Sequence, residues 1–294
     1  MHTDRFYSYL QFEKRFSPHT LLAYRNDLEA FAAFLQRRYG IPDLKSTERD
    51  MVRSWVVDLM EAGRSPSTIA RKLSVLRTYF KFLLKEAVIM ANPVQHVRAP
   101  KAGRRLPVFV EESRMERLRT VFDGGMSFSS CRDRLLVETL YQTGIRLAEL
   151  IGLREEDLDF DRQKLRVIGK RRKERVIPFT REFGNSLQEY IRLKKLTPFD
   201  NKPEVLFVKD NGERLNPRFV YTVVKNYLDM VDTPGKKSPH VLRHTFATHL
   251  LNKGADLYAV KELLGHASLA ATQIYTHNSI ARMKEAWKQA HPKG

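Results

Sequence analysis

The sequence predicts a mainly α-helical protein with a small antiparallel sheet, divided into two domains. Three observations predict it. Apolar residues recur every three or four positions along most of the chain, the spacing of a helix with one buried face. Between about residues 157 and 178 that spacing gives way to short period-two segments separated by polar turns, the pattern of strands. A stretch rich in proline, glycine and basic residues interrupts the helical pattern near residues 98–106, and 294 residues are more than one core usually serves.

In the amino-terminal part, residues 3–14 place Phe6, Tyr9 and Leu10 on one side of a short helix. Ser17 and Pro18 open a second, serine as N-cap and proline at the first helical position, where a missing N–H costs nothing. Leu21, Tyr24, Leu28, Phe31 and Leu35 form its buried stripe, and Gly40 stops it. Thr47 and Asp50 resemble a capping box ahead of Met51, Trp55 and Leu59, and Gly63 ends that helix. The Ser-Pro opening then recurs at Ser65–Pro66, and Leu76 and Leu83 repeat the places of Leu28 and Leu35, so two helical hairpins are expected. Arg71, Lys72, Arg77, Lys81 and Lys85 make the last helix basic; its face is either solvated or laid along phosphates. Asn92 and Pro93 close the helical region. The expected organisation is a helical domain over 1–97, a basic linker over 98–106 that either tethers freely or helps to clamp a duplex, and a second domain over 107–294.

The second domain opens with helices over 111–121 and 132–142, joined by a glycine- and serine-rich loop. Strands follow at 157–160, 164–168 and 174–178, with tight turns at 161–163 and 169–173. Helices resume at 183–194, 218–231, 239–252 and 257–264, with two short pieces at the end. In the last, Ile280, Met283 and Trp287 form an apolar stripe.

Composition narrows the function. There are 52 Lys plus Arg against 34 Asp plus Glu, a formal net charge of +18, which calls for a polyanionic partner such as nucleic acid before an anionic membrane surface. The single cysteine, Cys131, excludes an intramolecular disulfide or a multi-thiolate metal site. Charged residues from His2 to Arg15 break any secretion signal, and no run approaches 18 apolar residues, so a cytoplasmic protein with no membrane partner is expected.

The polar motifs carry the chemistry. TGIRLAEL places Arg146 just past a helix-breaking glycine, and GKRRKER places Lys170 in a turn between strands. HVLRH sets His240 and Arg243 three apart on one helix face, LGH supplies His266, and IYTH supplies Tyr275. In this order, over essentially the whole chain, they resemble the tyrosine recombinase (lambda integrase) family and, within it, the bacterial Xer recombinases. The resemblance implies a helical, SAM-like core-binding domain followed by a catalytic domain. It implies that Arg146 and Arg243 bind the scissile phosphate, that His240, His266 and Lys170 complete the site, and that Tyr275 is the nucleophile.

Residue chemistry agrees with that assignment. Attack at phosphorus spreads negative charge over non-bridging oxygens, and two guanidinium groups answer it with bidentate, permanently charged forks. A tyrosine hydroxyl, once activated, forms a covalent phosphoester; His240 takes or orients its proton, and Lys170 donates one to the leaving 5′ oxygen. Glu149, three residues after Arg146, either orients that arginine or takes no part in the site, and His244, like His249 and His277, is read as a buried histidine bonded to a nearby carbonyl, with direct catalysis as the alternative. The constellation lacks the carboxylates of a two-metal nuclease and the chain lacks a GxxxxGK[ST] loop, so neither metal nor nucleotide cofactor is expected.

The resulting expectation is a site-specific recombinase that cuts and rejoins duplex DNA through a 3′-phosphotyrosyl intermediate. The resemblance implies a tetramer on two sites, its last helix docked into a neighbouring protomer, a paralogous recombinase and a DNA translocase as partners, and resolution of chromosome dimers at cell division. The alternatives are an integrase or transposase of a mobile element, and a DNA-binding architectural protein that does not cleave.

Overall fold

The computed structural model describes residues 2–101, 103, 108–121, 127–169, 173–199 and 204–265. The chain forms two compact units, divided between Arg105 and Leu106.

The first unit is helical. Helix α1 (His2–Ser8) continues into a π-helical turn (Tyr9–Glu13), and α2 (Pro18–Tyr39), α3 (Arg49–Glu61) and α4 (Pro66–Lys85) follow. The repeated Ser-Pro openings fold alike. The Ser17 and Ser65 hydroxyls accept the N–H groups of Thr20 and Thr68, with proline leading each helix. Gly40 caps α2 at φ +68°, a left-handed conformation that glycine adopts without a Cβ clash. Phe6, Leu10, Leu28, Phe31, Leu35, Trp55, Leu76 and Leu83 close one core.

Three features depart from the sequence reading. Thr47 does not cap α3: its hydroxyl donates to the Leu44 carbonyl and it closes a short 3₁₀ turn (Leu44–Ser46) instead, while Glu48 takes the N-cap place of α3 without a side-chain bond and Asp50 pairs with Arg53. Helix α4 stops at Lys85, and the chain beyond it turns back so that Val94 and Val97 join the core. The basic face of α4 is largely engaged within the unit. Arg71 and Lys72 both hold Asp27, whose side chain is only 4% exposed, Arg77 donates to the Val97 carbonyl, and Lys85 pairs with Glu13 and lies over the Tyr9 ring.

In the second unit, α5 (Glu112–Val121), α6 (Phe128–Thr143) and α7 (Leu147–Gly152) precede the sheet. Helix α6 begins earlier than its apolar stripe suggests, because Ser127 caps it by accepting the Ser130 N–H, so the serines of the expected loop belong to its first turn. Strands β1 (Leu158–Asp159), β2 (Lys164–Ile168) and β3 (Glu174–Pro178) form an antiparallel meander in that order. Leu165 faces Ile177 and Val167 faces Arg175 across the β2–β3 pair. Leu165, Val167 and Ile177 are buried.

Helices α8 (Arg181–Leu196), α9 (Pro217–Met230), α10 (Pro239–Asn252) and α11 (Leu257–Leu264) complete the described part. Helix α6 packs against α8, α9 and α10, and Leu135, Leu136, Leu140, Leu187, Val220, Val224 and Leu242 fill the main core. A smaller cluster of Phe246, Ala247, Val260 and Leu264 joins α10 to α11. Among the described residues, no helix is long and apolar enough to cross a membrane. Residues 122–126 of the glycine-rich loop, most of the expected linker's end (104–106), turn residues 170–172 and the terminal helices with Ile280, Met283 and Trp287 lie outside the described residues.

Candidate active site

Arg146 reaches its place through a turn that the sequence dictates. Helix α6 ends at Gly144, which is left-handed at φ +59° and leaves no room for a side chain: a Cβ there would lie 2.3 Å from the Phe246 ring. Two residues on, Arg146 occupies the N-cap of α7, and Glu149 reaches back to accept the Arg146 backbone N–H at 2.7 Å. The same carboxylate accepts from Arg146 Nη1 at 2.9 Å, so one acid fixes both ends of the residue. Arg146 Nη2 donates to the Gly265 carbonyl at 2.8 Å, and its side chain remains 36% exposed.

Arg243 comes from α10, a helix opened by Pro239. It is 5% exposed, and its Nη1 donates to the Gly144 carbonyl and its Nη2 to the Leu264 carbonyl at 2.6 Å. The two arginines, nearly a hundred residues apart in sequence, thus end on adjacent carbonyls of the α11 terminus. Such a terminus carries partial negative charge and unsatisfied carbonyls, which makes it a natural anchor for cations.

A third arginine completes the set. Arg175 Nε donates to the Leu263 carbonyl at 2.8 Å, while Nη1 and Nη2 fork onto the two Glu149 oxygens at 2.9 and 2.8 Å. Leu263, Leu264 and Gly265 are therefore held in turn by guanidinium groups from β3, α10 and α7. Burial pushes the Glu149 carboxyl upward, but Arg175 and Arg146 outweigh it and hold the group below the usual carboxylate range. Two permanent cations on one carboxylate, with Arg243 on the adjacent carbonyl, leave an excess of positive charge suited to an anion.

His240 stands on α10 one turn before Arg243 and is exposed. Partial desolvation of its ring, with the charges of Arg243 and Lys236 beside it, lowers its pKa from the ordinary histidine value, so the neutral imidazole is favoured near pH 7. His244, one turn further, is lowered by burial, with His240 and Arg243 adding to it. His249 is 8% exposed; its Nδ1 shares a hydrogen bond with the Tyr141 hydroxyl at 3.0 Å and its ring meets Phe109 edge-on, contacts that suit a packing role. Among the described residues, no group of three or more His, Cys, Asp or Glu side chains is placed to hold a metal ion.

Of the six residues expected in the site, the structure brings Arg146 and Arg243 to one helix end, with His240 on the same helix as Arg243. Lys170, His266 and Tyr275 lie outside the described residues, as does His277. Glu149 is where the sequence put it, against Arg146. Arg175 was not singled out by sequence. Its signal is period two: in β3 it shares a face with buried Ile177, and an arginine on the inward face of a strand needs a partner.

Comparison with known proteins follows the same division of the chain. Residues 109–282 match the phage integrase family, and residues 3–87 match the phage integrase N-terminal SAM-like domain. A tyrosine recombinase XerC from Oceanobacillus iheyensis is 39% identical over 296 aligned positions that span 100% of this chain and 96% of that protein. A tyrosine recombinase XerC from Listeria innocua is 39% identical, over 98% of this chain and 97% of that one. Among solved structures, the XerH site-specific recombinase bound to a palindromic difH substrate, in a post-cleavage complex, superposes with a TM-score of 0.78 at 26% identity, covering 91% of this chain and 78% of that one.

Proposed function

Because the chain belongs to the phage integrase family of tyrosine recombinases, we propose that it is a site-specific recombinase acting in the cytoplasm on duplex DNA, with residues 1–97 as a DNA-binding domain, 98–106 as a linker and 107–294 as the catalytic domain. The observation that carries this reading is the pair of arginines, Arg146 and Arg243, anchored on the adjacent carbonyls of Gly265 and Leu264. Two guanidinium groups fixed before substrate arrives can receive the charge that develops on a phosphoryl group without reorganising, which is how preorganised donors lower a barrier.

In this mechanism Arg146 and Arg243 hold the non-bridging oxygens of the scissile phosphate. The Tyr275 oxygen attacks phosphorus, its proton passing to His240, whose depressed pKa keeps it neutral and able to accept. His266 hydrogen-bonds a phosphoryl oxygen. The bond from phosphorus to the 5′ oxygen breaks, and Lys170 supplies the proton that the leaving oxygen needs. The product is a 3′-phosphotyrosyl link and a free 5′ hydroxyl. The attack of another 5′ hydroxyl on that link reverses the chemistry and reseals a strand, so the bond is conserved. Four protomers on two sites, working with a paralogous recombinase and a DNA translocase, would exchange strands in this way to resolve chromosome dimers at cell division.

The test uses a nicked suicide duplex, from which a short fragment is lost on cleavage so that resealing is prevented. The wild-type protein should accumulate as a covalent adduct on the 3′ phosphate, and Tyr275→Phe should bind the duplex with similar affinity and form none. An adduct of normal yield from Tyr275→Phe would overturn the assignment.

A further inference from the structure

Arg175 lies on strand β3, opposite Val167, with a side chain only 11% exposed. Its three bonds, two to Glu149 and one to the Leu263 carbonyl, fix the plane of the guanidinium group completely. A buried Arg–Glu pair is a poor way to stabilise a fold, since well-packed apolar groups in the same volume do as well or better. What this pair touches gives it another use. A Cβ on Gly265 would lie 3.2 Å from Arg175 Cδ and Nη1, and a Cβ on Gly169 would lie 3.5 Å from both Arg175 Nη1 and Glu149 Oε1. Gly169 also closes the base of the β2–β3 turn, its N–H donating to the Lys173 carbonyl at 2.8 Å. These two glycines immediately precede Lys170 and His266 in the sequence, and the third partner of the pair is Arg146 itself.

We propose that Arg175 is a positioning residue for strand cleavage, holding Arg146 through Glu149 and registering against one another the two backbone segments that lead into Lys170 and His266. The proposal rests on the recombinase reading above and adds to it a residue that does not touch the phosphate. Lysine cannot substitute, because one ammonium cannot fork a carboxylate and reach a carbonyl in the same plane. Displacements of an ångström at groups that orient a reacting centre cost on the order of a hundredfold in rate.

The experiment compares single-turnover cleavage at saturating protein with equilibrium binding to the uncleaved duplex. The duplex is a near-palindromic site selected by the wild-type protein from random sequences, nicked for the cleavage arm. Arg175→Lys and Glu149→Gln should each cleave roughly ten- to a hundredfold more slowly while binding within about threefold of wild type. The double variant should lose little beyond the worse single one, since both substitutions break one unit. Cleavage by Arg175→Lys within about twofold of wild type, or binding and cleavage falling in equal proportion, would overturn the proposal. Should circular dichroism show that Arg175→Lys is unfolded, Glu149→Gln decides by the same criteria. An Arg146→Ala control separates the two levels: if it abolishes cleavage while the Arg175 variant cleaves normally, only this inference fails, and if it cleaves normally itself, the phosphate-binding reading fails with it.

Discussion

Replacing Gly144 with alanine should be among the costliest single methyl additions in the second unit, and the structure separates its two causes. At φ +59° an L-residue pays roughly 1–2 kcal/mol for the left-handed backbone. The new Cβ would also stand 2.3 and 2.8 Å from two carbons of the Phe246 ring and 3.1 Å from Leu264 Cδ2, where carbon contacts settle at about 3.5–4.0 Å. Phe246 is buried against Val260 and Leu264 and cannot withdraw freely, so overpacking adds about 1–3 kcal/mol. The total is about 2–5 kcal/mol. Gly254→Ala is the control in the same unit: φ is +86°, nothing lies within 4 Å of its Cβ, and only the backbone cost of about 1–2 kcal/mol applies. Urea denaturation of the full-length protein reads both shifts in the same transition. Because the Gly144 carbonyl receives Arg243, Gly144→Ala should also slow cleavage well beyond Gly254→Ala. Equal loss of stability in the two variants would refute the packing argument.

Two further outcomes follow from the charges. His240 has a pKa lowered from 6.5, so its neutral form persists as pH falls through that value, and the acid limb of the single-turnover cleavage rate should have its midpoint below 6.5; a midpoint at or above 6.5 would contradict its role as proton acceptor. Asp27→Asn removes the charge that Lys72, itself 13% exposed, and the half-exposed Arg71 share, and should destabilise the first unit by about 2–3 kcal/mol in calorimetry; a shift below about 0.5 kcal/mol would mean that the pair is only a surface contact.

Much of the fold was legible because local chemistry and tertiary packing agree. The Ser-Pro helix starts at Ser17 and Ser65, the left-handed stops at Gly40 and Gly144 and the alternation of Leu165, Val167 and Ile177 are each decided within a few residues. Arg146, Arg243 and His240 were legible through motif spacing, and Glu149 through its three-residue offset from Arg146. What escaped depends on partners far along the chain. Thr47 had a capping choice that the preceding turn at Leu44 settled. The cations of α4 read as a free basic face, because nothing local says that Asp27, more than forty residues away, takes two of them. Arg175 was hidden in GKRRKER, at the end of a run with four other cations, from which only its strand register distinguishes it.

The three guanidinium groups on consecutive carbonyls also order events during synthesis. Arg146 and Arg175 are synthesised 119 and 88 residues ahead of the carbonyls that hold them, and Arg243 only 21 ahead of its own, so the first two wait longest for their partners. Loop closures of such length come late in folding, after local helices and hairpins have formed. A nascent chain that already carries the arginines therefore lacks the scaffold that aims them, and a truncated product ending before α11 would be cationic without having the arginines assembled on that helix end. The geometry ties assembly of the arginine cluster to synthesis of the α11 terminus.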